Sequence, residues 1–116
     1  LNHGPVKVFT YEYPNSEDYD KNSSINIERV KGLKLFKKYR KANLVNNFIN
    51  TSSNIRALIT DHWKSLELIK TEYFKKIKTF CLLHSKEINH EVGSSLNKRL
   101  IKSTNNADFI IANSNK

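Results

Sequence analysis

Three apolar runs in this sequence end directly in groups that can donate, accept or carry protons. TFCLL (Thr79 to Leu83) runs into His84, Ser85 and Lys86 with no turn residue between. IRALIT (Ile55 to Thr60) runs into Asp61 and His62, and FIIA (Phe109 to Ala112) into Asn113 and Ser114. A neutral imidazole donates or accepts a hydrogen bond according to its tautomer, and it titrates near neutral pH. A lone histidine after a strand is more often a loop or capping residue than a catalytic one. The recurrence at three run ends is therefore more informative than any one of them.

Those groups share a site only if the runs lie side by side with their ends on one edge. Val6 to Tyr13 (VKVFTYEY) alternates β-branched and aromatic residues and reads as a strand, closed by Pro14-Asn15-Ser16. Glu17 to Ser24 reads as a polar loop, and INIERV, with Ile25, Ile27 and Val30, as a weaker strand punctuated by Gly32. Phe36, Tyr39, Ala42, Leu44, Val45, Phe48 and Ile49 recur at helical spacing. IRALIT is short and continuously apolar, as a strand covered on both faces requires. Trp63 to Phe74 reads as one helix that Asp61 could cap, with Trp63 and Tyr73 as packing residues. Lys78 to Leu83 is a strand and Glu91 to Ser103 a helix, with Val92, Leu96 and Leu100 on one face. Phe109 to Ala112 is the last strand. Strands joined by helices imply parallel pairing with right-handed crossovers. The predicted fold is α/β: a Rossmann-like, doubly wound, mostly parallel sheet with helices on both faces. In such sheets ligands bind outside the carboxyl ends of the strands, which is where the three polar run ends fall.

Composition narrows the classes. The 116 residues suit one domain, or part of one. No apolar window is long enough to span a bilayer, and no secretory leader opens the chain. Cys81 is the only cysteine, so neither an intrachain disulfide nor a cysteine zinc site is available. Its apolar neighbours make it a small buried hydrophobe, in keeping with a reduced, cytoplasmic protein. His3, His62, His84 and His90 form no helical pair at metal-ligand spacing, so no metal site is expected. Neither a nucleophile elbow nor a phosphate loop nor a glycine-rich dinucleotide fingerprint occurs. Met is absent and residue 1 is Leu, which points to a piece of a longer chain.

The net charge of +9 raises the question of nucleic acid. Lys, Asn and Ile are enriched together throughout, as an AT-rich coding bias would leave them. Charge concentrates only over Arg29, Lys31, Lys34, Lys37, Lys38, Arg40 and Lys41, with Phe36 and Tyr39 between. A solvated helix face is the plain reading. A contact of Lys37, Lys38, Arg40 and Lys41 with anionic lipid or another anion comes next. Nucleic acid comes last, because no base-reading motif is present.

Taken in order, the motifs resemble the N-terminal domain of the family 4 glycosyltransferases, which have the GT-B fold. HGPVKVFTYEYPNSEDYD resembles that family's second strand and its acidic loop, and INIERVKG the strand after it. IRALITDHW resembles its strand and acid-histidine-tryptophan turn, TFCLLHSKE its strand ending in histidine, and NNADFIIANSNK its final strand ending in serine. The likeness covers nearly the whole chain. The family's first strand, its glycine-rich loop and its C-terminal donor-binding domain have no counterpart here. Thr60 stands where that family often has a small residue or histidine, and Ser85-Lys86 follow His84 where it has an acid.

The resemblance implies that residues 1–116 are part of the acceptor-side domain of a retaining glycosyltransferase, inactive by themselves. It implies no cofactor in this chain, and a nucleotide-sugar donor bound by the missing C-terminal domain. The acceptor would be a glycan or lipid-linked sugar, as in cell-envelope polysaccharide synthesis, with the protein cytoplasmic or peripheral on the cytoplasmic membrane face. His84 would be catalytic, bonding a sugar hydroxyl or the leaving phosphate. His62, Ser85, Lys86 and Ser114 would bind substrate around it. Asp61 and Ser114 are equally readable as helix caps. The competing function is a small basic α/β module that binds RNA or another polyanion. A flavodoxin-like receiver or nucleotide binder lacks the acidic cluster or phosphate loop it would need.

Overall fold

Every strand pairing is parallel among the residues described by the computed structural model, which are 5–84, 86 and 89–113. The chain divides into two compact units, Leu1–Val45 and Asn46–Lys116. Each holds one sheet, two-stranded in the first and three-stranded in the second. The fold is α/β and Rossmann-like, as the alternation of periods predicts.

In the first unit, β1 (Lys7–Tyr11) pairs with β2 (Asn26–Val30), Lys7 opposite Asn26 and Tyr11 opposite Val30. The connection is a helix, α1 (Ser16–Asn22), where the sequence reads as loop. Its residues carry no apolar period, so the pattern gives no signal. Charge holds it instead. Glu17 and Asp18 lie in its first turn and Lys21 in its last, both favourable to the helix dipole. Asn15 takes a left-handed conformation (φ 68°) at its start, which asparagine tolerates. Arg29 then ties the helix to β2. Its guanidinium donates to Asp20 Oδ1 at 2.8 Å and Oδ2 at 2.9 Å, and to the Tyr11 carbonyl at 3.0 Å.

The hydrogen bonds from Arg29 hold the Asp20 carboxyl below its ordinary range, partly opposed by desolvation and aided by the guanidinium charge. A carboxyl depressed in the folded state stabilises the fold above its unfolded pKa of about 3.9. That stability is lost as pH falls through the folded value. Asp20→Asn is therefore expected to flatten the acid limb of a pH–stability profile followed by circular dichroism. The same acid midpoint in parent and variant would show that the pair contributes nothing to it.

The second unit orders its strands β3–β4–β5, with β3 at Ala57–Thr60, β4 at Lys78–His84 and β5 at Phe109–Asn113. Its core is Trp63, Leu66, Cys81 and Leu100, with Leu58, Phe74, Leu83 and Ala107 packed on it. Cys81 is fully buried, as its apolar run predicts. Thr79 and Asp108 register β5 on β4. The Thr79 N–H donates to Asp108 Oδ2 at 2.7 Å, and the Asp108 N–H donates to the Thr79 carbonyl at 2.8 Å. The helix α2 (Lys37–Thr51), preceded by a 3-10 turn at Lys34–Phe36, precedes β3 in the chain.

The single helix predicted over Trp63 to Phe74 is two short pieces. A 3-10 turn occupies Trp63–Leu66, and α3 is only Thr71–Phe74. The interruption comes from Asn46. Its buried side chain donates to the Leu68 carbonyl and accepts from the Lys70 N–H, both at 3.0 Å. Those backbone groups are ones a continuous helix would have paired internally. The helix α4 (Ser95–Thr104) begins later than its apolar spacing predicts. Ser94 caps it by accepting from the Asn97 N–H at 3.1 Å.

Candidate active site at the β3–β5 strand ends

Because β3, β4 and β5 are parallel neighbours, their carboxyl ends fall on one edge of the sheet. The register fixes their relative heights. Thr60, the last residue of β3, is level with Cys81 of β4, which is level with Ile110 of β5. His84 is level with Asn113. The central strand thus runs three residues past the end of β3. At 3.3 Å per residue this carries His84 roughly 10 Å beyond the last β3 rung. His84 is half-buried and Lys86 is exposed. Ser85 and Ser114 lie outside the described residues.

The β3 end is built around Trp63, which is completely buried. His62, not Asp61, caps the turn that follows; its Nδ1 accepts the Lys64 N–H at 3.0 Å. Asp61 is exposed. An accepting Nδ1 puts the ring proton of His62 on Nε2. The His62 ring lies 5.8 Å from the Trp63 ring, and the His90 ring meets it edge-on at 6.1 Å. The Arg99 guanidinium sits 5.7 Å from the same ring and donates twice to Glu67, at 2.8 Å each. Trp63 thus behaves as the packing residue predicted, and it also carries the imidazole of His62 at the strand end. His90, to which the sequence assigns no role, has a buried Nε2 with no hydrogen-bond partner among the described residues. Nothing in the spacing of the histidines signals this, because the contact to Trp63 is tertiary.

This arrangement provides two imidazoles and one exposed ammonium at or just beyond the ends of adjacent parallel strands. It can hydrogen-bond hydroxyls or phosphate oxygens. Among the described residues, no group of three His, Cys, Asp or Glu side chains converges as metal ligands do. Two shallow grooves, about 480 and 540 Å³, lie along α1 and not at these strand ends.

The cations singled out over Lys37 to Lys41 belong to the first unit. Arg40 donates to the Lys31 carbonyl at 2.6 Å, and the Lys41 ammonium lies 4.5 Å from the centre of the Tyr11 ring. Lys38 lies 5.1 Å from the Tyr39 ring, and Lys37 is half-buried. No helix is long and apolar enough among the described residues to cross a membrane. Compared with known proteins, the chain matches no family model, no curated protein and no solved structure.

Proposed function

We propose that the β3–β5 strand ends form one wall of a sugar-transfer cleft, the acceptor side of a retaining glycosyltransferase. The observation that carries this reading is the placement of His84 at the end of the central parallel strand, with His62 on the loop leaving its neighbour. That is the edge at which open α/β sheets bind ligands. The ordered likeness of the strand-end motifs to family 4 glycosyltransferases gives the edge its chemistry.

In the proposed reaction the bond between the anomeric carbon of a nucleotide sugar and its phosphate oxygen breaks. A bond from that carbon to an acceptor hydroxyl oxygen forms on the same face. The hydroxyl proton leaves with the phosphate or to solvent. His84 hydrogen-bonds a hydroxyl of the transferred sugar or the departing phosphate. Lys86 supplies positive charge beside it, and His62 orients the acceptor through Nε2–H. The likeness to that family assigns the donor to a separate domain, and residues 1–116 to the acceptor side.

The test is transfer from nucleotide sugars by the longest natural polypeptide that carries residues 1–116. His84→Ala is expected to lower kcat about 100-fold, the scale of losing one positioned donor to developing charge. Circular dichroism should show unchanged folding. Transfer at the parent rate would remove His84 from the chemistry.

A further inference from the structure

The residues before and within the first turn of α2 leave a large apolar surface uncovered. Leu33 is 69% exposed, Leu35 76%, and Phe36 and Tyr39 each 49%. They are not scattered. The Phe36 N–H donates to the Leu33 carbonyl at 3.1 Å, closing the 3-10 turn. Residues three apart nearly eclipse in such a turn, which places Leu33 and Phe36 together. Tyr39, three and four residues after Phe36 and Leu35, continues the same face into α2.

This apolar surface lies within the most basic part of the chain. No Asp or Glu occurs between Glu28 and Asp61, while Lys31, Lys34, Lys37, Lys38, Arg40 and Lys41 do. Among the described residues, no acidic side chain pairs with Lys34 or Lys37. The first turn of α2 contains no acid at all. Cations there oppose the helix dipole, so the arrangement works against the helix itself and is relieved by an external anion. The backbone is also set for it. Gly32 has φ +113°, and the Arg40 guanidinium occupies the space that a Cβ at Gly32 would need. Arg40 thereby fastens the start of α2 back onto the Lys31 carbonyl, and the Leu33–Phe36 turn projects from that fastening.

We propose that residues 33–41 form an interfacial membrane anchor. Leu33, Leu35 and Phe36 enter the headgroup boundary of an anionic bilayer, and Lys34, Lys37 and Lys38 engage its phosphates. Charge complementarity selects an anionic partner. The two leucines select lipid over nucleic acid, because bases stack on aromatic rings and guanidinium planes and not on leucine. Exposed leucine and phenylalanine side chains interleaved with lysines are the composition such anchors use. The inference does not depend on the sugar-transfer reading.

The 116-residue chain is tested by co-sedimentation with phosphatidylcholine vesicles, with and without phosphatidylserine. Binding is expected only with phosphatidylserine present. Lys34→Glu with Lys37→Glu is expected to weaken it about tenfold or more. Leu33→Ser with Leu35→Ser is expected to weaken it by a similar factor while leaving all charges in place. Leu33, Lys34 and Leu35 are exposed and Lys37 is half-buried with no acidic partner among the described residues, so unchanged circular dichroism spectra are expected. Phe36→Trp adds a reporter, whose emission should shift to the blue on vesicles as the ring leaves water. Vesicle binding untouched by the leucine pair, or no blue shift, would overturn insertion. Binding to an RNA oligonucleotide with none to anionic vesicles would overturn the membrane as partner.

Discussion

Trp63→Ala is expected to destabilise the Asn46–Lys116 unit by about 3–5 kcal/mol, the range for removing a large aromatic from a core. A domain's whole stability is about 5–15 kcal/mol, so this is a large share of what holds the unit folded. The size of the effect follows from position. Trp63 is fully buried and anchors the cluster of Leu66, Cys81 and Leu100, which joins the turn after β3, the strand β4 and the helix α4. Its removal leaves a cavity at that junction and takes the platform from under His62 and His90. Urea unfolding followed by circular dichroism measures the loss. Trp63→Phe, which keeps an aromatic ring, should cost markedly less. A midpoint for Trp63→Ala equal to the parent's would show that the cluster does not hold the unit together.

Asn46→Ala is expected to cost about 1–3 kcal/mol, because it strands two backbone groups and not merely one side chain. The Leu68 carbonyl loses its donor and the Lys70 N–H loses its acceptor. Asn46→Asp separates the two effects. It keeps an acceptor for the Lys70 N–H but sets a carboxylate against the Leu68 carbonyl. Amide hydrogen exchange reads the result directly: at Lys70 it should speed up about tenfold or more in Asn46→Ala and much less in Asn46→Asp. Unchanged exchange at Lys70 in Asn46→Ala would refute the bridging role.

The elements that sequence made legible are those whose reason is local. The β4 run is continuously apolar, and its abrupt change at His84 marks the true end of the strand. The sharing of one edge by three polar strand ends follows from parallel pairing alone, so it too was readable. The register was not. That His84 stands level with Asn113, well past Thr60, depends on pairings such as the Thr79–Asp108 exchange between distant residues. The α1 helix is held by charge and an Arg29 clamp, neither of which leaves an apolar period. The break between Trp63 and Phe74 is imposed from α2, by a residue the period marks as polar. Asn46 in fact lies in the buried stripe of that helix, with Ala42 and Ile49. The apolar pattern also placed Phe36 and Tyr39 on the buried face of α2, where their exposure instead makes them candidates for a partner. His62 lies just past the end of β3, and the capping role expected of Asp61 falls to it, because its Nδ1 accepts the Lys64 N–H.

The outer edge of β5 carries no strand among the described residues, and Phe109, Ile110 and Ile111 are each 48% exposed along it. An apolar, unpaired edge of this kind is a template on which another copy's strand can add. The chain's charge of +9 opposes such pairing, by a repulsion that reaches only about one Debye length, near 8 Å in physiological salt. The colloidal behaviour of the protein is thus set by a contest between a sticky edge and a charged surface. Added salt or a neutralising polyanion weakens only the second. The same lysines that recommend an anionic partner therefore also act as the protein's solubilising coat, and engaging them would expose β5 to self-pairing.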